Sequence, residues 1–371
     1  MTKNNINSSD KLDVSIVLPT YNEAQNIPLM VPKICNVLNK AKIKGEVIVV
    51  DDNSPDKTGD VAQKLAAKYP VQVIVRKNER GLATAVLAGF RKSKATVCVV
   101  MDADGSHPVD TLPDMITPIL ENQYEATIGT RYIEGGATDN WPLIRRIISK
   151  TAGFITLGLT KMKDSTSGFM AIKRSKIENQ KFQPIGWKIV LEIMVRVNPS
   201  FLEVPITFQD RQHGESKLSF KEQINYLRHL EKLYEFKYQT VVEFLRFCFV
   251  GLVGLVIDLS IIYLLKSFVG LNLLLCNIIG FSVALTNNYF MNRHWSFVHG
   301  KQAHLVRGFL AFFLVCILGL LARLGVVYTL QEHTFLGAKD SFLIISFIGI
   351  LVASVFNFVG SKIAVFKGSA V

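Results

Sequence analysis

The second half of the chain constrains the fold most, because it contains four long apolar segments. Each approaches the roughly 20 residues that a helix needs to cross a lipid bilayer. The segments are 247–268, 271–291, 307–330 and 342–365. We therefore predict a domain of four transmembrane helices. The alternative is a soluble bundle of four buried helices, which the length of the segments disfavours.

The positive charges around these segments predict their orientation. The first segment is preceded by Lys237 and Arg246. The connection between the second and third segments, 292–308, is basic. Near the end of the fourth segment and after it come Lys362 and Lys367. Loops rich in Lys and Arg stay on the cytoplasmic side of a membrane. We therefore expect a multi-pass membrane protein whose termini and first half are cytoplasmic.

The overall composition narrows the classes of partner. The formal net charge of +12 suits an anionic membrane face or phosphorylated substrates. The chain lacks the dense Lys/Arg tract of nucleic-acid-binding tails, so we expect no nucleic-acid partner. The five cysteines form no C-x-x-C pair, which argues against a disulfide framework or a zinc site.

The first half alternates buried strand patterns with helical patterns. Helices are predicted near 24–40, 57–68, 82–93 and 110–121. Strands are predicted at Val14–Thr20, Glu46–Asp52, Val71–Arg76, Val97–Asp104 and Glu125–Arg131. Runs of β-branched residues separated by helices predict an α/β fold with a mostly parallel sheet, covered by helices on both faces. Ligands bind beyond the carboxyl ends of the strands in such sheets.

These patterns predict four regions. They are a disordered leader at 1–12, a catalytic domain at 13–218, amphipathic interfacial helices at 219–243 and the transmembrane domain at 244–367. In the third region Phe220, Ile224, Leu227 and Leu230 recur at helical spacing beside basic residues. The region therefore lies on an anionic membrane surface or packs as an ordinary amphipathic helix on the sheet domain.

The motif "VVMDADGSHP" carries the clearest chemical signal. Asp102 and Asp104 follow a buried strand, and strand alternation directs both side chains to the same side. Two adjacent carboxylates repel each other unless a cation lies between them. Mg²⁺ binds proteins through one or two carboxylates together with substrate phosphates. We therefore predict an Mg²⁺ or Mn²⁺ site here; a solvated turn is the alternative.

Two other strand ends complete a predicted crevice. After the first strand, Tyr21 can pack on a planar base, and Glu23 can accept hydrogen bonds from a ribose or a base. After the second strand, Asp52 is placed to do the same. Together with the paired aspartates, these strand ends would suit a nucleoside diphosphate and its metal.

Several motifs resemble those of a known enzyme family. They are "VLPTYNEAQNI", "VVDDNSPDKT", "GLATAVLAGF", "MDADGSHP", "IGTRYIEGG", "DSTSGFMAIKR" and "RQHGESKL". In this order, over about residues 12–235, they resemble the family-2 glycosyltransferases of GT-A fold that load sugar onto polyprenyl phosphate, and most of all the dolichol-phosphate mannose synthases. The segment "NNYFMNRHWSF" is similar to a GtrA-like four-helix membrane domain. The resemblance thus implies a Rossmann-like GT-A sheet followed by a GtrA-like domain.

The resemblance also implies roles for individual residues. Pro19, Tyr21, Glu23, Val50 and Asp52 would hold the guanosine side of a donor. The residues implied at the diphosphate, sugar and metal are Asp102, Ala103, Asp104, Arg131, Arg211 and Lys217, and those at the lipid phosphate are Arg131, Arg145, Arg146 and Ser149. Of these, Asp102, Asp104, Arg131 and Arg211 would be catalytic. Ser106 is the candidate for a third metal ligand. Close relatives often have Gln at this position, and because serine is shorter, the alternative is that water fills it.

The activity implied is inverting transfer of mannose from GDP-mannose to dolichyl or another polyprenyl phosphate at the cytoplasmic membrane face. A phosphate monoester has a second pKa of about 6 and is already an anionic nucleophile at neutral pH. No catalytic histidine is therefore required, and we interpret His107 and His213 as structural. Alternatives are transfer of glucose from UDP-glucose and lipid-sugar translocation. A processive polysaccharide synthase is disfavoured because the chain lacks a Q-x-x-R-W string. The oligomeric state stays open.

Two charged residues lie inside the apolar segments. Asp258 is in the first segment and Arg323 in the third. Charges inside a bilayer are costly and usually pair or face a polar cavity. We hypothesise that the two residues pair across the bundle or that Arg323 approaches a lipid phosphate; the alternative is that either lies near a membrane interface.

Overall fold

The computed structural model describes residues 12–138, 151, 153–208, 220–333 and 342–367. The chain divides into two compact units, and the boundary lies between Lys237 and Tyr238. Nearly all of the predicted leader, 1–11, lies outside the described residues.

The first unit contains a mostly parallel sheet, as predicted. The described residues of this unit form nine strands: β1 Val14–Thr20, β2 Gly45–Asp51, β3 Val71–Val75, β4 Val97–Val100, β5 Ala126–Thr130, β6 Ala137–Thr138, β7 Met170–Lys173, β8 Phe201–Pro205 and β9 Thr207–Phe208. Seven strands form one sheet in the order β3-β2-β1-β4-β7-β5-β8, and β6 pairs with β9 in a separate parallel pair. In the large sheet only β7 runs antiparallel to its neighbours. The predicted α/β architecture is confirmed.

Helices cover both faces of this sheet. They include α1 Ile27–Lys40, α2 Thr58–Leu65, α3 Leu82–Lys92, α4 Leu112–Leu120 and α5 Ile189–Val197. Successive residues of β1 belong to opposite faces, so Ile16 and Leu18 lie in one core cluster and Val17 lies in the other. Burial on both faces explains why the strands are continuously apolar rather than alternating.

The direction of β7 brings another loop to the functional edge of the sheet. Val100, at the carboxyl end of β4, is paired with Met170, the first residue of β7. The segment that precedes β7 therefore lies beside the loops that follow β4 and β5. This edge collects the ends of β1, β2, β4 and β5 together with the start of β7.

A long helix, α6 Phe220–Leu264, runs through the unit boundary. Its backbone is not helical at Tyr238, where φ is −132° and ψ is 44°. Before this kink Leu230 and Leu233 are buried in a cluster with Leu159 and Leu191, so this part of α6 packs on the first unit. Leu227, which was predicted on the same apolar face, is 58% exposed.

The second unit contains the helices that can cross a membrane. After α6 come α7 Leu273–Met291, α8 Leu305–His333 and α9 Phe342–Gly360. Within the described residues, four helical segments have the length and apolar composition for a membrane span. They are Glu222–Val269, Leu273–Ser296, Leu305–Glu332 and Ile344–Val365. The prediction of four membrane-capable helices is confirmed.

One end of this unit is closed by aromatic side chains. The ring of Phe297, in the α7–α8 connection, stacks on Phe366 at a centroid distance of 4.7 Å and on Phe358 at 5.7 Å. Tyr289 is fully buried and donates a hydrogen bond of 2.8 Å to the carbonyl of Leu305. These contacts join the end of α7, the start of α8 and the end of α9.

A buried carboxylate joins segments at the same end. Glu243 of α6 is 2% exposed. Its Oε1 accepts hydrogen bonds from the backbone N–H of Val298 and from Gln239 Nε2, each at 3.1 Å, and its Oε2 lies 2.8 Å from Lys362 Nζ. The same ammonium donates to the hydroxyl of Thr240 at 2.7 Å. Glu243 therefore links α6 to the α7–α8 connection and to the end of α9.

Glycines allow polar side chains to pack between membrane helices. A Cβ on Gly254 of α6 would lie 2.7 Å from Asn288 Cγ of α7, and a Cβ on Gly280 of α7 would contact the carboxylate of Asp258 of α6. Arg323 packs instead on Gly349 of α9. No ion pair joins Asp258 to Arg323, both of which are described, so the predicted pair is wrong. The two side chains face different helices.

We expect Gly254→Leu to weaken the contact between α6 and α7. The larger side chain must displace Asn288, and overpacking of this kind usually costs about 1–3 kcal/mol. The measurement is the thermal unfolding midpoint of the protein in detergent. Gly251→Leu is the matched control, because a Cβ at Gly251 would contact nothing within 4 Å.

A second variant checks the cause of the effect. Asn288→Ala should recover part of the midpoint lost in Gly254→Leu, because it removes the side chain that the leucine displaces. Equal midpoints for Gly254→Leu and Gly251→Leu would contradict the packing described here.

Candidate active site

The predicted paired aspartates lie at the end of β4. Asp104 is 5% exposed, and its Oδ1 accepts hydrogen bonds from Ser106 N at 3.0 Å and from Ser106 Oγ at 2.6 Å. The side chain of Asp102 is 28% exposed, so it is the more accessible of the two. Between them and Ser106 stands Gly105 with φ of +79°, a conformation that L side chains rarely adopt. The turn therefore holds the carboxylates at the edge of the sheet.

His107 positions Asp102. Its Nδ1 accepts a hydrogen bond of 2.9 Å from the backbone N–H of Asp102, and its ring stacks on Phe169 at 5.1 Å. Burial lowers the pKa of His107, although the charge of Asp102 opposes this shift. The contacts agree with a structural role for this histidine.

Ser106 was predicted as a third metal ligand, and this stays a prediction. In the structure Ser106 is fully buried, and its hydroxyl donates to Asp104. This hydrogen bond gives Ser106 a direct means of orienting the Asp104 carboxylate.

The loops after β1 and β2 are joined by hydrogen bonds. The backbone N–H of Asn22 donates to Ser54 Oγ at 3.0 Å, and that of Glu23 donates to Thr58 Oγ1 at 2.9 Å. Glu23 Oε2 accepts from the side-chain amide of Asn26 at 2.6 Å. The guanidinium of Arg80 lies 5.0 Å from the centroid of the Tyr21 ring. Tyr21 and Glu23, both predicted donor-binding residues, therefore lie on a braced loop at the predicted edge.

The other residues predicted on this side have different surroundings. Asp52 is buried; it accepts hydrogen bonds from the guanidinium of Arg76 and, at 2.8 Å, from the backbone N–H of Gly81. The side chain of Val50 lies in the sheet core. Pro19 is half-buried in β1, paired with Val50, and Ala103 is buried in the opposite core cluster. The roles of these four residues toward a donor stay predictions, and any contact by Val50 would have to use its backbone.

Arg131, predicted from the "GTRY" motif, lies at the end of β5 in a buried ion pair. Its Nε donates to Asp164 Oδ2 and its Nη2 donates to Asp164 Oδ1, both at 2.7 Å. Burial alone would raise the pKa of Asp164, but the paired hydrogen bonds from Arg131 hold it below its ordinary value. Burial alone would also lower the pKa of Arg131, and the carboxylate raises it instead. Both groups are therefore charged at neutral pH.

Three residues of this edge were missed by sequence reasoning. Asp164 belongs to the quoted motif "DSTSGFMAIKR", but nothing local shows that it pairs with Arg131. Arg76 directly follows β3, and its position at a strand end is the signal that could have found it. Lys188, which is 6% exposed, donates from Nζ to the carbonyl of Thr166 at 2.7 Å. The sequence pattern that could have indicated Lys188 is a lysine directly before an apolar helix.

Five predicted site residues lie outside the described residues. They are Arg145, Arg146, Ser149, Arg211 and Lys217. Their roles at the lipid phosphate and at the donor phosphates stay predictions.

The paired aspartates fit a hard divalent cation. Carboxylate oxygens are the ligands that Mg²⁺ and Mn²⁺ prefer, and Mg²⁺ usually completes its coordination with water and substrate phosphates. Among the described residues, no group of three or more His, Cys, Asp or Glu side chains is arranged to hold a metal. A two-carboxylate site, completed by a ligand, is therefore the arrangement that these residues offer.

Comparison with known proteins assigns both halves of the chain. Residues 15–180 match the model of "Glycosyl transferase family 2", and residues 246–366 match that of "GtrA/DPMS, transmembrane domain". The chain is 36% identical to the dolichol-phosphate mannosyltransferase of Pyrococcus furiosus, over 92% of this chain and 96% of the relative. It is 39% identical to the dolichol-phosphate mannosyltransferase of Saccharomyces cerevisiae, over 61% of this chain and 89% of the relative.

Solved structures also resemble the first half. Mannosyl-3-phosphoglycerate synthase from Rubrobacter xylanophilus aligns with a TM-score of 0.48 and 17% identity, over 62% of this chain and 75% of that protein.

Proposed function

Because this chain belongs to the dolichol-phosphate mannosyltransferases of glycosyl transferase family 2, we propose that it transfers mannose from GDP-mannose to dolichyl or another polyprenyl phosphate at the cytoplasmic membrane face. One observation in particular supports this proposal. Two carboxylates at the end of β4 and a buried arginine at the end of β5 share one edge of the sheet.

The chemistry asks for alignment and charge neutralisation rather than for a base. An oxygen of the lipid phosphate forms a bond to C1 of mannose while the bond from C1 to the GDP oxygen breaks, and GDP leaves with that electron pair. The acceptor is largely deprotonated at pH 7, since the second pKa of a phosphate monoester is about 6. The protein therefore has to hold two anionic groups on opposite faces of one sugar.

The proposed division of roles follows the order of the strands. Tyr21 and Glu23 bind the nucleoside beside β1. Asp102 and Asp104 would hold Mg²⁺ or Mn²⁺, which when bound neutralises charge on the leaving diphosphate. Arg131 contributes its positive charge to phosphate binding, while its Nε and Nη2 stay paired with Asp164. His107 and Ser106 keep the two carboxylates in place.

The test is a donor and acceptor panel with the full chain in detergent. We expect lipid-linked mannose from GDP-mannose and a short polyprenyl phosphate, detected by mass spectrometry, and none when the free polyprenol replaces its phosphate. Glucose transferred from UDP-glucose with no mannose transfer would overturn the donor assignment. Movement of a preformed lipid-sugar between leaflets, without transfer from any donor, would overturn the enzymatic assignment in favour of translocation.

The proposed sidedness has a separate test. We expect a cysteine replacing Lys301, in the α7–α8 connection, to react with a membrane-impermeant maleimide only when the cytoplasmic face is accessible. A cysteine replacing Val269, which is 62% exposed beyond α6, should react only from the other side. Both variants need a background without the five native cysteines. The reverse labelling pattern would contradict the proposal.

A further inference from the structure

Lys188 places a buried amino group in the wall of the site. It directly precedes α5 and is 6% exposed. Its Nζ donates to the carbonyl oxygen of Thr166 and lies 3.5 Å from the centroid of the Trp187 ring. Within the described part of the chain, no carboxylate forms an ion pair with it. Burying an ammonium is costly unless it is paired, and a bound anion would offset this cost.

The guanidinium of Arg131 also contacts Thr166. Arg131 Nη2 donates to Thr166 Oγ1 at 2.6 Å, while Lys188 uses the Thr166 carbonyl. Both groups therefore contact Thr166. Arg131 pairs with the carboxylate of Asp164, whereas no carboxylate among the described residues forms an ion pair with Lys188. A buried amine without an ion-pair partner gains one when an anion binds beside it.

Burial and the neighbouring charged groups shift the pKa of Lys188. Burial lowers the pKa of the Lys188 ammonium well below its usual value, and the charge of Arg131 at the end of β5 lowers it further. Asp164, in the loop before β7, and Asp102, at the end of β4, act in the opposite direction. A bound anion would add negative charge and so favour the protonated amine.

The order of the strands indicates which anion this is. β2 and β1, which carry the proposed nucleoside side, lie on one side of β4; β7 and β5 lie on the other side. Lys188 contacts Thr166, a few residues before β7, and Thr166 in turn contacts Arg131 after β5. In an inverting transfer the acceptor attacks the face of the sugar opposite the leaving diphosphate. Cations beyond β4 are therefore placed on the acceptor side.

We propose that Lys188, together with Arg131, binds the phosphate of the polyprenyl phosphate acceptor through its Nζ. The inference rests on the proposed function, since it presupposes a phosphate acceptor. The amine can keep its hydrogen bond to Thr166 and offer its other donors to phosphate oxygens, because an ammonium has three N–H groups.

The first test separates acceptor binding from donor binding. We expect Lys188→Met to raise the acceptor KM at least about tenfold, the effect of losing one charged hydrogen bond, while the donor KM stays within twofold. Lys188→Arg should keep much of the acceptor affinity. Lys181→Met, which removes an exposed lysine, is the matched control and should change neither constant.

The pH dependence distinguishes phosphate binding from a purely structural role. In the wild type the acceptor KM should rise with increasing pH as Lys188 loses its proton, below the pH at which an ordinary lysine titrates. The acceptor KM of Lys188→Arg should not change over that pH range, because arginine stays protonated. If Lys188 had only a structural role, its substitution would change the unfolding midpoint of the protein. The pH dependence of the acceptor KM would then be the same in the wild type and in Lys188→Arg, which would contradict the proposal.

The fluorescence of Trp187 can report binding of the acceptor directly. Because Lys188 Nζ lies over its ring, we expect a short polyprenyl phosphate to change Trp187 fluorescence, and the matching polyprenol or GDP alone to leave it unchanged. The change should be absent in Trp187→Phe and in Lys188→Met. A response to GDP in place of the acceptor, or a rise in donor KM in Lys188→Met, would assign Lys188 to the donor diphosphate and overturn the proposal.

The failures of the two proposals are distinguishable. If the chain uses another donor or acceptor, the wild type itself gives no lipid-linked mannose. If only the role of Lys188 is wrong, the wild type is active and Lys188→Met keeps its acceptor KM.

Discussion

Asp104→Asn is expected to lower kcat/KM for sugar transfer at least about 10²–10³-fold, the loss typical when one preorganised electrostatic group is removed from an active site. Asparagine keeps the Oδ1 acceptor that Ser106 N and Ser106 Oγ contact. The turn should therefore stay folded while the charge that would hold the metal is lost. The measurements are the initial rate over a range of Mn²⁺ concentrations and the affinity for Mn²⁺ with GDP by calorimetry.

The matched control for this variant is Asp110→Asn. Asp110 lies close by in the sequence, but its side chain is 75% exposed and, among the described residues, its ion-pair partner is the exposed Lys33. Surface ion pairs of this kind contribute about 0–1 kcal/mol, so its activity should match the wild type. Near-normal transfer by Asp104→Asn at saturating Mn²⁺ would exclude Asp104 from the metal site.

Asp164→Asn is expected to lower the free energy of unfolding of the first unit by about 3–5 kcal/mol, because it leaves the buried guanidinium of Arg131 without its carboxylate. Arg131→Met should have a similar effect for the opposite reason. The double variant Arg131→Met, Asp164→Leu should recover much of this stability, since neither of these two positions then carries an unpaired buried charge. It should not recover transfer, because the phosphate loses its guanidinium.

The pH dependence of stability gives an independent check on this pair. The pKa of Asp164 is held below its ordinary value of 3.8. The pair therefore contributes its full stability above that value, and this contribution is lost as the pH falls through the pKa of the folded protein. The wild type should lose more stability on acidification than the double variant, measured by thermal unfolding between neutral and low pH. Recovered transfer in the double variant would contradict the role of Arg131.

Sequence patterns predicted the sheet well where burial decides the residue type. Strands such as Val14–Thr20 are continuous apolar runs, and the structure has β1 at the same residues. The antiparallel strand β7, Met170–Lys173, was not predicted, because its four residues carry no local sign of their direction. Its placement depends on pairing with β4 and β5, which are distant in sequence.

The site was predictable where its chemistry is local. Asp102 and Asp104 stand two residues apart, so their spacing alone indicates a shared cation. Ion pairs between distant residues were invisible: Asp52 and Arg76 are 24 residues apart, and Arg131 and Asp164 are 33 apart. In the membrane helices, hydropathy predicted the spans but not the faces, so the pairing of Asp258 with Arg323 was wrong.

The contacts of Glu243 have a consequence for how the protein is made. Glu243 lies on α6, the first of the four described membrane helices. Val298, which donates to it, follows 55 residues later, and Lys362, which pairs with it, lies after α9. A ribosome therefore delivers the carboxylate to the bilayer well before the ammonium that neutralises it. Until α9 is inserted, Glu243 must stay hydrated at the membrane surface or be shielded by insertion factors. Completion of this contact thus depends on α9, which is translated after α6, α7 and α8.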